Sequence, residues 1–339
     1  MTDNVIRDHF DDLISPGPRV EWLERWLLNE VWTEERYEAL NPLDYLNEGE
    51  RTVNELEEVI ASSAGRLYDE LLEDPPPQRD IARMIGKEPS IAIAIFDGLS
   101  LREVPLVLKL AGEAGISVLE TGVSRSVIPT ETIDFIDKRM RFESIAPSLL
   151  PKRKELREAG IAAYYYNQPS QRHSLDPDAR ALFLWSAFPD NTYSDSGARF
   201  PRFFEQTHEL LKTAWLNTVQ QVPRGRKIVV TSDHGYVYFG AGLCFARSNL
   251  ELRPLSGYLG GERFKRLTPP SLSARAKDAE GKGDGPPSHP DLVVYPDKGV
   301  AVIRGRVQTH PPGKAASRLY KHGGLSIMEI LVPWIVLES

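Results

Sequence analysis

SIAIAIFDG, Ser90 to Gly98, is an unbroken β-prone run that stops on an acid and a glycine. A strand with one wet face alternates apolar and polar residues, whereas a strand covered on both faces reads as a continuous apolar run. The stretch is therefore read as an inner strand, and the helical pattern that follows at 101–114 makes it a strand-turn-helix unit. Further β-prone runs lie at 115–119, 162–166, 181–187, 227–231 and 292–295, with helical patterns at 133–139, 151–159 and 203–219 between them. Strands alternating with helices predict an α/β fold, a mainly parallel sheet flanked by helices on both faces.

Ahead of this unit the texture is helical. Val20, Trp22, Leu23, Trp26, Leu27 and Val31 recur at helical spacing, and Val53, Leu56, Ile60, Leu67 and Leu71 repeat the pattern until Asp74-Pro75-Pro76-Pro77 stops it. The chain is divided accordingly into an N-terminal helical region, 1–88, and an α/β domain, 89–339. The paired tryptophans read as a stripe that packs on a neighbouring element, with a partner-binding face as the alternative. Segment 268–290, TPPSLSARAKDAEGKGDGPPSHP, has no apolar period and is expected to be a mobile loop, serving as a lid, a partner contact or neither.

Composition excludes several classes. With 339 residues, 41% hydrophobic and 26% charged, the chain is long enough for one large core with an appendage, or for two domains. It has no apolar run of membrane-spanning length and no secretion signal, and its lone Cys244 agrees with a reducing cytoplasm. The net charge of −7 is unevenly spread. Residues 1–88 hold 22 acidic against 9 basic residues, so the remainder is mildly basic. That suits an anionic substrate, although no basic run interleaves with aromatics as in a nucleic-acid groove.

In open α/β sheets ligands gather outside the carboxyl ends of the strands. Asp97 ends the first run, Asp190 follows ALFLWSAFP, Asp233 and His234 end KIVVTS, and His322 precedes the closing apolar stretch. Carboxylates and imidazoles converging on one rim are ligands for zinc or manganese. Singly, Asp97-Gly98 reads as a turn and His322 as a structural residue. The Asp233-His234 pair is different, because a carboxylate and an imidazole at a buried strand end cost desolvation unless something satisfies them. In VIPTETIDF, 127–135, a hydroxyl residue sits at the start of a helical pattern. There, free N–H groups can receive phosphate oxygens, or Thr130 or Thr132 can simply cap the helix.

Taken in order, IAIAIFDGLS, VIPTETIDF, FLWSAFPD, VVTSDHGY and HGGLSIMEILVP resemble the PglZ domain, a branch of the alkaline phosphatase superfamily of metal-dependent phospho- and sulfohydrolases. The resemblance spans about Ser90 to Leu337 and leaves the N-terminal helices outside. It implies an alkaline-phosphatase-like core with a divalent metal, zinc above all and manganese as the alternative, as one or two ions. Asp97, Thr132, Asp233 and His234 would hold one ion, with Thr132 as the nucleophile, and Asp190 and His322 would serve the other. In the superfamily an acid at the position of Asp190 is usually followed four residues on by histidine. Here Asn191, Thr192, Tyr193, Ser194 and Asp195 follow, so Asp195 is a substitute ligand, or the second ion is weakly bound, of a different kind, or missing.

The implied reaction is attack of Thr132 on phosphorus, a covalent phosphothreonine and its hydrolysis by water. The implied function is a phosphodiesterase or phosphatase acting on nucleotide-type phosphoesters in a bacterial phage-defence (BREX-type) system. Protein partners would dock through the N-terminal helices, and the location is cytoplasmic. The alternatives are a scaffold with degenerate chemistry and a phosphotransferase. Glu329 reads as a helix residue or as a support for a metal-bound histidine. His9, His173, His208, His289 and His310 read as exposed or structural, and Arg226 and Lys227 lie at the wrong end of their strand. Arg125 and Lys138 bracket the nucleophile segment and offer phosphate contacts.

Overall fold

A computed structural model describes residues 19–63, 66–193, 203–267, 285–309 and 319–339. Asp195, His9, His310 and most of the 268–290 loop lie outside the described residues.

In chain order the strands are β1 Ile91–Phe96, β2 Ser117–Arg125, β3 Ile161–Tyr166, β4 Ala181–Ser186, β5 Lys227–Thr231, β6 Val237–Tyr238, β7 Phe264–Arg266, β8 Leu292–Tyr295, β9 Val300–Ile303, β10 Tyr320–Lys321 and β11 Leu331–Glu338. Six of them form the main sheet in the order β2-β11-β5-β1-β4-β3. β5, β1, β4 and β3 run parallel, and β11 is antiparallel to both its neighbours, β5 and β2. β2 therefore points the same way as the parallel strands, and β11 begins at the rim where the others end.

The continuous apolar run of β1 has the physical consequence expected of it. All six residues are buried, and alternate side chains serve opposite faces. Ile91, Ile93 and Ile95 pack with Ile81, Met84, Phe135, Ile136 and Leu156 from the helices Ile81–Lys87, Thr132–Met140 and Lys154–Glu158. Ala92, Ala94 and Phe96 face the helices Val104–Glu113 and Phe203–Asn217 through Val107 and Leu211. The sheet is thus mixed, mostly parallel and covered on both faces.

The N-terminal helices Arg19–Trp26 and Pro42–Ser63 join the second face: Leu23, Trp26, Val53 and Leu56 are buried in the same cluster as Ala92 and Phe96. Trp22 and Trp26 stack with ring centroids 6.0 Å apart. Glu50, fully buried on the longer helix, accepts hydrogen bonds from the buried guanidiniums of Arg102 and Arg306 and so ties the region into the interior. Among the described residues no helix is long and apolar enough to cross a membrane.

Two strand expectations need correction. The 292–295 run is a strand, but it belongs to a separate antiparallel sheet, β7-β9-β8, and not to the main one. The 115–119 run is the exposed beginning of a nine-residue strand; β2 is an edge strand whose first half is wet, so it keeps polar residues such as Glu120 and Thr121 that hide its length.

Candidate metal centre

Because five strands of the main sheet point one way and β11 starts where they stop, the residues just past β1, β2, β4 and β5 and just before β11 share one rim. Asp97 follows β1 directly. Gly98 then turns the chain with φ +75°, and its N–H donates to Asp233 Oδ1 at 3.1 Å. A Cβ at position 98 would lie 3.1 Å from that of Asp190, so the backbone and the neighbour both call for glycine. Asp190 opens the short helix Asp190–Tyr193, and its N–H donates to the Asp97 carbonyl at 2.9 Å. Past β5, Ser232 Oγ lies 2.7 Å from the carbonyls of Phe96 and His234, and Ser126 Oγ donates to the Asp233 carbonyl. These bonds lock the Asp233-His234 corner to β1 and to the end of β2.

Thr132 is the first residue of the helix Thr132–Met140. Its cap position, Glu131, makes no side-chain capping bond, and Thr132 does not cap either. Thr132 Oγ1 instead donates to Asp233 Oδ2 at 2.7 Å and lies 3.4 and 3.5 Å from the two Asp97 oxygens. The first-turn N–H groups are thereby left without a side-chain cap, beside the hydroxyl.

His234 is fully buried. Its Nδ1–H donates to the Gly235 carbonyl at 3.0 Å, which leaves Nε2 as a lone-pair nitrogen. That atom has no hydrogen-bond partner. It faces Asp97 Oδ1 at 3.5 Å and Asp233 Oδ2 at 3.7 Å. His322 stacks on His234, ring centroids 4.1 Å apart, and sets Nε2 3.4 Å from Asp190 Oδ1. Its Nδ1–H donates to the Thr130 carbonyl at 2.9 Å, with Glu131 Oε1 at 3.2 Å.

Two sets of three donors thus form side by side, Asp97-Asp233-His234 and Asp190-His234-His322, with the donor atoms of each within 4.8 Å of one another. All five sequence-derived acids and imidazoles of the described chain, with Thr132, meet in one place. Asp97, Asp233 and His234 are deeply buried, while Asp190 and His322 are partly exposed. Burial, together with the neighbouring Asp233 and Asp190 carboxylates, pushes the Asp97 carboxyl well above its ordinary range. His322 moves the same way for a different reason: burial opposes its charge, but Asp190 and Glu131 outweigh that and raise it well above an ordinary imidazole.

Like-charged carboxylates closing on an orphaned imidazole nitrogen lack a positive centre. The donor set fits a divalent ion. Around zinc, four N/O donors at about 2.0–2.1 Å stand about 3.4 Å apart, close to the 3.4–3.7 Å that separate Asp97 from Thr132 and His234 and Asp233 from His234; Thr132 Oγ1 and Asp233 Oδ2, hydrogen-bonded at 2.7 Å, stand closer.

Several contributors escaped the sequence. Trp185, fully buried on β4, donates its indole N–H to Asp97 Oδ2 at 3.4 Å. The signal available was a tryptophan in a buried apolar run, whose N–H needs an acceptor. Buried Thr130 pins two segments together: its Oγ1 accepts the Gly323 N–H at 2.6 Å and donates to the Gly324 carbonyl at 3.3 Å. Glu329 does not touch His322. It pairs with Arg263 at 2.7 and 2.8 Å and accepts the Gly324 N–H at 2.8 Å, fixing the loop that carries the histidine. His208 is buried against Phe204 and Tyr37, and the half-buried His173 packs on Tyr166. Arg226 bonds the Pro177 and Ala179 carbonyls, at the far end of β5. Arg125 and Lys138 stay out of the cluster.

No protein-family model matches this sequence, and neither does any curated protein sequence. Solved structures with a similar chain path include phosphonoacetate hydrolase from Sinorhizobium meliloti 1021 in complex with phosphonoacetate, at 14% identity over 74% of this chain and 90% of that one, TM-score 0.37. Murine ectonucleotide pyrophosphatase/phosphodiesterase 5 is another, at 15% identity over 74% and 88%, TM-score 0.41. Likeness at this level leaves the reading of the site to its own geometry.

Proposed function

We propose that this chain is a metal-dependent phosphoesterase of the PglZ branch, cleaving nucleotide-type phosphodiesters with Thr132 as nucleophile, in a phage-defence setting. The observation that carries the reading is the meeting of Thr132 Oγ1, Asp97, Asp233 and the unpartnered Nε2 of buried His234 at one rim of the sheet. Asp97, Asp233, His234 and Thr132 would hold one divalent ion, zinc or manganese, with Asp190 and His322 offering donors to a second. Asp195 would complete that second set. Such an ion would supply Lewis acidity, stabilising negative charge on the attacking and phosphoryl oxygens.

The protein's own part follows from the contacts. The Thr132 hydroxyl hydrogen is committed to Asp233 Oδ2, so the oxygen keeps a lone pair for phosphorus and its proton has an acceptor 2.7 Å away. The uncapped N-terminus of Thr132–Met140 presents N–H groups to the phosphoryl oxygens beside the attacking atom. Thr130 and the Gly323-Gly324 turn hold His322 at a fixed distance from this helix, setting the space the phosphoryl group enters. Attack by Oγ1 expels one alcohol of the diester and leaves the other ester on the phosphothreonine, and water then releases the phosphate monoester and restores the hydroxyl.

Hydrolysis of an aryl phosphodiester by the purified full chain tests the reading. Turnover is expected to vanish on chelation, to return with zinc or manganese, and to fall by at least about 1,000-fold in Thr132→Ala. Metal-loaded protein without turnover would favour the scaffold reading, which the lack of a histidine four residues after Asp190 supports.

A further inference from the structure

On the first face of the sheet, behind the metal centre, the helix Thr132–Met140 and the 74–81 segment enclose a cleft of about 180 Å³. Its wall includes Arg79, Arg125, Lys138, Arg139 and Arg141, against only two carboxylates, Asp74 and Asp80. The cations differ in how well they are matched. Arg79 is fully engaged by Glu24, Glu120 and the Val123 carbonyl. Arg125 and Arg139 are not. Each side chain is largely buried, 15% and 12% exposed, yet their acidic partners, Glu73 and Asp74, are 68% and 94% exposed and so heavily screened.

Each also donates to one main-chain carbonyl, Arg125 to Glu70 and Arg139 to Ser126, while the buried Nε of Arg139 has no hydrogen-bond partner. Lys138 likewise donates to the Ile128 carbonyl, with Asp134 at 3.7 Å. Burial and the nearby Arg125 hold the Arg139 guanidinium below its ordinary range. Lys138 has the buried Asp134 carboxylate beside it, but two largely buried guanidiniums whose only acidic partners lie in solvent are unfavourable unless an anion joins them.

We propose that this cleft is a binding site for a tetrahedral oxyanion, inorganic phosphate or an equivalent, distinct from the metal centre and built on Arg125, Lys138 and Arg139. Its volume admits one small anion and falls short of the roughly 300 Å³ at which pockets begin to take larger organic ligands. Planar guanidinium forks suit such an anion. The site adjoins the metal centre through protein: Arg139 Nη2 donates to the Ser126 carbonyl, and the Ser126 hydroxyl donates to the Asp233 carbonyl.

Calorimetric titration of the full chain with inorganic phosphate, at ionic strength fixed by chloride, tests this with and without chelator. One phosphate is expected to bind per chain in the chelated protein, where no ion remains to draw phosphate to the metal centre. Arg125→Gln is expected to weaken that binding by at least about five-fold. Asp74→Asn, at a side chain almost wholly in solvent, is expected to keep the fold and tighten binding about two-fold or more by freeing Arg139. Phosphate binding confined to metal-loaded protein, or unchanged affinity in Asp74→Asn, would overturn the proposal, while leaving the phosphoesterase reading untouched.

Discussion

His234 illustrates how a single side chain is prepared for a task. Its Nδ1–H is spent on the carbonyl of the next residue, so the other nitrogen enters a cage of carboxylates as an acceptor with nothing to accept. Trp185 does the complementary job for Asp97, donating to Oδ2 and leaving Oδ1 toward His234. The consequence is measurable without any substrate. Trp185→Phe keeps the ring and deletes the donor, and it is expected to weaken zinc binding by about 10-fold or more in chelator competition. Equal affinities in the two proteins would remove Trp185 from this role.

Between residue and molecule, the turn after β1 and the segment before the helix Thr132–Met140 hold the site together. Gly98 holds a left-handed φ of +75° against Asp190. Gly98→Ala is expected to cost about 1–2 kcal/mol in urea denaturation from the backbone alone. It should also push Asp190 away from His322. Thr130 is the matching pin on the other side, with both partners on the Gly323-Gly324 turn. Thr130→Val keeps shape and removes the hydroxyl, stranding the Gly323 N–H, and a loss of about 1–3 kcal/mol is expected. A Thr130→Val protein as stable as the parent would show that the turn finds another acceptor.

At the scale of the whole molecule, the N-terminal helices, the small sheet and the rim meet through buried ionisable groups, and stability should depend on pH accordingly. Glu57, on the long helix, accepts from Tyr68 and from the Ile327 N–H just ahead of β11. Burial, outweighing the nearby Arg306, pushes its carboxyl up to about 7 from an ordinary 4.5. The raised value means that the folded state holds the proton more tightly than the unfolded chain. Glu57's contribution is therefore complete below about pH 4.5 and is lost as pH rises through about 7. His208 has the opposite sign: burial lowers it to about 3 from 6.5, so its contribution is present above pH 6.5 and is lost as pH falls toward 3. Thermal denaturation of Glu57→Gln is expected to show a shallower decline between pH 4.5 and 7 than the parent. An identical profile would mean that Glu57 is not protonated inside the fold. Metal adds a separate term. At 100-fold excess over its dissociation constant an ion bound only by the folded chain stabilises it by about 2.7 kcal/mol, so chelation should lower the melting temperature.

The layered α/β architecture was legible in the sequence because inner strands such as Ile91–Phe96 need no polar alternation and advertise themselves as apolar runs. The rim residues Asp97, Asp233 and His234 were legible for the same reason, as polar residues placed where such runs stop. β2 was read short because an edge strand with a wet half resembles loop, and β8 was assigned to the wrong sheet because strand pairing is a long-range choice that local composition does not encode. Only the tertiary structure decided that Trp185, Thr130 and Gly98 support the rim. It alone gathered Arg125, Lys138 and Arg139 around one cleft, since hydrogen bonds and charge clusters between distant segments depend on distances that come into being when the sheet assembles.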